Sequence, residues 1–81
     1  MDKEEKLVHE CHMEIEGTCY EIRVFLNGEG HHVAKTALAR DDILINDGPS
    51  LEEVLFKHRS LLPLALDSRA ILQSYLSSRE P

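Results

Sequence analysis

Cys11, Met13 and Ile15 alternate with Glu10, His12, Glu14 and Glu16. After Gly17 the alternation resumes as Tyr20, Ile22, Val24 and Leu26 against Glu21 and Arg23. Period-two alternation with one polar face marks a half-buried strand. The pattern therefore predicts two strands within residues 7–26, joined by a tight hairpin near Glu16–Thr18. Asn27-Gly28-Glu29-Gly30 follows. Asn-Gly is the favoured pair for a two-residue hairpin turn, because both residues tolerate positive φ. A third strand is expected over about His31–Ala39, with an alternation too weak to assign its inward face. Ile43-Leu44-Ile45 reads as a short fourth strand or a strand extension. Asn46-Asp47-Gly48-Pro49 reads as a turn.

The period then changes from two to 3.6. Ser50 is placed to cap a helix, with Glu53 completing a capping box. Leu51, Val54, Leu55, His58, Leu61 and Leu62 share one helical face. Pro63 is expected to end or kink this helix. Asp67 or Ser68 can cap a second helix whose apolar stripe is Ile71, Leu72, Tyr75 and Leu76. The expected fold class is α+β. A three-to-four-stranded antiparallel meander (residues 7–45) is packed on one face by one or two C-terminal helices (50–62 and 67–77), in the order β-β-β-(β)-α-α.

The chain has 81 residues and is expected to form one domain. A core this small supplies only a few kcal/mol of net stability, so a partner chain is a natural source of more. The formal charge is −6. Asp2, Glu4, Glu5, Glu10, Glu14, Glu16 and Glu21 outweigh Lys3 and Lys6 in the first 21 residues. No Lys/Arg cluster is present to neutralise phosphates, so direct nucleic-acid binding is not expected. Charged residues stand where a signal peptide would have its apolar core. No apolar run reaches the roughly 20 residues of a membrane span. The expectation is a cytoplasmic protein with free thiols and no membrane contact.

The stretch HECHMEIEGTC, residues 9–19, holds two histidines and two cysteines. If Met13 and Ile15 share a face with Tyr20 and Ile22, Cys11 points into the core and Cys19 points out. A disulfide between opposite faces of one hairpin is then excluded by geometry, and Cys11 serves as a small core hydrophobe. A metal centre drawing on His9, Cys11, His12, Cys19, His31 and His32 is the alternative, although strand alternation divides these ligands between faces. Neither C-x-x-C nor H-E-x-x-H occurs. His58, on the apolar helix face, reads as a packed or interface residue, with no Ser, Cys or Asp matched to it as a triad. No nucleophile–base pair and no phosphate-binding glycine loop can be identified.

YEIRVFLNGEG, HHVAKTALARDDILI and NDGPSLEEVLFKHRSLLPLAL, within residues 20–62, together resemble the HicB-like domain family. The helix opening Gly48-Pro49-Ser50-Leu51-Glu52-Glu53 matches its Gly-x-Ser/Thr-Leu-Glu-Glu pattern. Asp41-Asp42 stands where that family usually has Pro-Gly, and the strand over 7–15 lies outside its usual core. Residues 64–81 are too short for the DNA-binding segment that HicB antitoxins carry. The resemblance implies an antitoxin-like or orphan partner-binding domain that dimerises, and it does not imply operator binding by this chain.

The functional expectation is thus a non-enzymatic protein-binding and dimerisation module, without cofactor or bound metal. Its partners would be a second copy of itself and another protein. Candidate interface residues are His58, Ile71, Leu72, Tyr75 and Leu76. The alternative is a small His/Cys metal-binding or metal-sensing domain.

Overall fold

Each strand turns back on its predecessor, and the result in this computed structural model is an open antiparallel sheet of order β1-β2-β3-β4. The structure describes residues 5–78, with side chains described through residue 72. The strands are β1 (Lys6–Ile15), β2 (Thr18–Leu26), β3 (His32–Ala39) and β4 (Asp42–Gly48), followed by one helix, α1 (Leu51–Ser78). This is the expected α+β fold, with four strands and one helix.

The first hairpin has a two-residue loop. Glu16 and Gly17 both have positive φ, 50° and 83°, between the paired Ile15 and Thr18. Two successive positive φ values give the turn a twist that matches the flanking strands. The second hairpin differs from the expected Asn-Gly turn. Gly30, not Gly28, has positive φ (86°). Gly30 N donates to the Asn27 carbonyl at 3.1 Å and Asn27 N donates to the His31 carbonyl at 3.0 Å. Asn27 Oδ1 accepts from Glu29 N and His31 N at 2.9 and 3.0 Å. Asn27 therefore precedes the turn and braces it with its side chain, and the loop is three residues long with its left-handed residue last.

Beyond the turn at Arg40-Asp41, β4 runs through Asn46, Asp47 and Gly48. The expected turn at 46–49 is thus displaced toward Pro49-Ser50. Strand pairing with β3 (Ala34↔Asn46, Val33↔Asp47, His32↔Gly48) overrides the local turn preference of these residues.

One face of the sheet carries Cys11, Met13, Ile15, Tyr20, Ile22, Val24, Ala34, Thr36 and Leu44, and α1 covers it. The inward face of β3 is His32, Ala34, Thr36 and Leu38, set by the register Val24↔Ala34. Its small residues let the helix approach closely. At the end of β4, Gly48 leaves a Cβ position only 3.4 Å from the Val54 backbone. Ile22, Val24, Ala34, Val54 and Leu62 are fully buried.

The helix opens as its sequence requires. Ser50 Oγ accepts from Glu53 N at 3.2 Å, and Val54 N donates to the Ser50 carbonyl at 3.0 Å. Glu52 and Glu53 sit in the first turn, where the helix dipole favours negative charge. The separate helices expected over 50–62 and 67–77 are one continuous helix with Pro63 inside it. Proline removes the hydrogen bond to the Arg59 carbonyl. Leu62 is fully buried on one side of it and Leu66 packs on the core on the other. Further on, Arg69 grips Asp42 of β4 through two hydrogen bonds of 2.6 and 2.8 Å. These ties hold both halves of α1 to one sheet, so the helix continues through the proline and Asp67 and Ser68 lie inside it.

Candidate interaction surface

Under the helix, the polar chemistry is sealed. His58 is fully buried. Its Nε2 lies 2.7 Å from Thr36 Oγ1 on β3, and its Nδ1 hydrogen-bonds Asn46 Oδ1 on β4. Asn46 Nδ2 donates to the Val54 carbonyl at 3.3 Å. With Oδ1 the accepting atom of Asn46, Nδ1 carries the imidazole proton and the Thr36 hydroxyl donates to Nε2. Burial lowers the His58 pKa below its ordinary value. The neutral ring thus pins the helix to two strands at once. His58 has no surface to offer a partner, which corrects its expected place at an interface. The network escapes sequence reading because Thr36 and Asn46 look like ordinary strand and turn residues; the one signal is a histidine in an otherwise apolar helical stripe.

The cysteines and histidines of residues 9–19 divide as the strand phase requires. Cys11 pairs with Ile22 and packs against the core, whereas Cys19 pairs with Glu14 and is exposed. His31 lies in a loop and is exposed. Among the described residues, no three His, Cys, Asp or Glu side chains converge as metal ligands.

Among the described residues, no helix covers the sheet's other face. On its β1–β2 half, Arg23 bridges Glu10 and Glu21 at 3.2 and 3.3 Å. Hydrogen bonding with Glu10, then the charge and hydrogen bond of Arg23, hold the Glu21 carboxyl below the usual range. Lys35 pairs with Glu5 at 2.9 Å and lies 4.9 Å over the Phe25 ring. The β3–β4 half carries Lys35 beside a more apolar patch, with Ile43 and Ile45 both 55% exposed.

The two sheet edges are unlike. β1 has a bulge between Leu7 and His9 and carries Lys6, Glu10 and Glu14. Bulges and charges discourage edge-to-edge pairing. β4 has no charge and no proline between Asp42 and Asp47.

The helix, too, exposes apolar side chains. Leu64 is 63% and Ile71 68% exposed. Val54 and Leu72 stand about five helical turns apart, on the same face; Val54 is 0% exposed and Leu72 56%. The face that covers the sheet therefore continues past the sheet's end. Of the expected interface residues, Ile71 and Leu72 lie on this exposed surface. Tyr75 and Leu76 belong to the last turns of α1, and their side chains fall outside the described residues. Sequence reading missed Ile43, Ile45 and Leu64, whose exposure depends on which faces the register and the helix leave bare.

No helix among the described residues is long and apolar enough to cross a membrane. No family model, no curated protein and no solved structure matches the chain.

Proposed function

We propose that the chain is a non-enzymatic dimerisation and protein-binding module, of the antitoxin-like kind that its resemblance to HicB-like domains implies. It works in the cytoplasm and makes no nucleic-acid contact of its own. One observation carries the reading. Among the described residues, five apolar side chains are fully buried, while eight large ones, Leu7, Val8, Ile43, Ile45, Phe56, Leu64, Ile71 and Leu72, are exposed. So much bare apolar surface beside so small a core favours a surface meant to be covered. The buried histidine supports the non-enzymatic part, because its hydrogen bonds are spent inside the fold and no substrate can reach it. Free thiols on opposite sheet faces suit a reducing compartment.

Sedimentation equilibrium over a micromolar concentration series tests the reading. A reversible or tight dimer is expected. A protein that stays monomeric throughout, and recovers no partner from its native lysate, overturns it.

A further inference from the structure

Among the described residues, two of the four large exposed apolar side chains of α1, Leu64 and Ile71, share one flank of the helix. Lys57 Nζ reaches the Asp47 carbonyl of β4 at 3.4 Å, whereas Arg59 reaches Cys11 of β1 at 3.7 Å. The Lys57 flank thus looks out over the β4 edge. Residues following Lys57 at alternating steps of four and three share that flank: Leu61, Leu64, Ser68 and Ile71. This is the spacing of a helix-packing seam. It lies directly above β4, whose central residues Ile43 to Asn46 carry no charge, between Lys57 at one end and Arg69 at the other.

The position of the helix also suits a second helix beside it. His58 bonds to β3 and β4 together, so α1 runs over the line between them. If the β4 strands of two copies pair edge to edge, the two helices lie one strand spacing plus two half-spacings apart, about 9.6 Å. Packed helices lie about 8–10 Å apart. Val54 sits over Gly48 at one end of β4, and Arg69 holds Asp42 at the other. The rise of helix and strand between those ties puts Leu61 near the level of Ile45 and Leu64 near that of Leu44, at the middle of β4. An antiparallel β4 pair has its two-fold axis there, so the same axis sets each Leu61/Leu64 seam against its counterpart. On the opposite sheet face, a pairing centred on Leu44 sets Ile43 beside the partner subunit's Ile45. At each end of the paired strands Asp41 stands opposite the partner subunit's Asp47 with Arg40 beside them, so the ends are net acidic and oppose the pairing slightly. Apolar contact and backbone pairing, not charge, hold the two copies together.

We propose, building on the dimer reading above, that the partner on this surface is a second copy of the chain. Two β4 strands pair antiparallel to make one eight-stranded sheet, and two α1 helices pack across the two-fold through Leu61, Leu64 and Ile71. Backbone edge, helix spacing and seam position all point to the same axis, and the β1 edge stays free.

The test compares the full chain with Leu64→Glu, Ile43→Lys and, as a control on the free β1 edge, Leu7→Glu, by sedimentation equilibrium, with circular dichroism confirming the fold. Leu64→Glu sets two carboxylates together at the axis, and each of the first two variants should weaken dimerisation by at least about tenfold. Leu7→Glu should leave it unchanged. Leu64→Cys in a Cys11→Ala, Cys19→Ser background gives a second readout that needs no disruptive charge: mild oxidation should yield a covalent dimer, and Leu7→Cys in that background should not. A dimer that resists Leu64→Glu and Ile43→Lys and does not cross-link at position 64 overturns this interface while leaving the dimer reading intact. A wild-type chain that is monomeric throughout overturns both.

Discussion

Acidification should weaken this fold through His58. The imidazole is fully buried, and its partners, Thr36 and Asn46, carry no charge to offset a proton. Burial holds its folded-state pKa below the ordinary 6.5. Above that value the ring is neutral in both the folded and unfolded chain, and the stabilisation is fully present. As pH falls through 6.5 the unfolded chain takes up a proton that the folded chain refuses, so stability is lost until pH reaches the lowered folded value. Between pH 7.5 and 5.5 the loss has a ceiling of about 1.4 kcal/mol, reached only by a ring that stays neutral in the fold over the whole range. Other titrating groups contribute as well, so the comparison is with His58→Gln, which cannot be protonated. Urea denaturation at the two pH values, at matched ionic strength and protein concentration, gives the two differences. The wild type should lose more stability than the variant on acidification, by up to about 1.4 kcal/mol. Equal losses in the two proteins would refute both the burial of a neutral ring and its role in pinning the helix.

Thr36→Val, which keeps the shape but removes the hydroxyl facing Nε2, should cost about 1–3 kcal/mol by leaving a buried acceptor unpaired; urea denaturation at pH 7.5 reads it. Pro63→Ala should raise stability by about 1–3 kcal/mol and leave the helical circular dichroism intact, since the Arg59 carbonyl regains a donor within a helix that is already continuous. Glu16→Asn should raise the melting temperature, with a gain of about 0.5–1 kcal/mol, because asparagine tolerates the left-handed backbone at position 16 better than glutamate. Arg69→Ala should lower the melting temperature slightly and less so at high salt, because the Asp42 pair is solvent-exposed. The Arg69 hydrogen bonds depress the Asp42 pKa, so that small contribution is present above pH 3.8 and fades as pH falls below it.

How much of this was legible in the chain depended on which forces acted locally. β1 and β2 read directly, because one face of each meets the core and the other meets water, and the phase of Met13, Ile15, Tyr20 and Ile22 placed Cys11 and Cys19 correctly. Ser50 read as a cap because capping is a matter of three or four neighbouring residues. The inward face of β3 did not read, since Ala34 and Thr36 are inward for their small size and not for their hydrophobicity. Asn46 and Gly48 read as turn residues because the pairing that keeps them in β4 comes from β3. Pro63 read as a boundary because the contacts that carry the helix past it, Leu66 on the core and Arg69 on Asp42, are tertiary. His58 and its two partners are 12 and 22 residues apart, and nothing in one stretch announces them. The exposed seam at Leu61, Leu64 and Ile71 became visible only once Lys57 and Arg59 showed which flank of the helix faces which strand.

Native mass spectrometry of the protein, purified without added metal or chelator, tests the central claim most directly. The account predicts a metal-free species of twice the chain mass. A monomer, above all one carrying stoichiometric zinc, nickel or iron, would contradict it and return the histidines and cysteines of residues 9–19 to the centre of the problem.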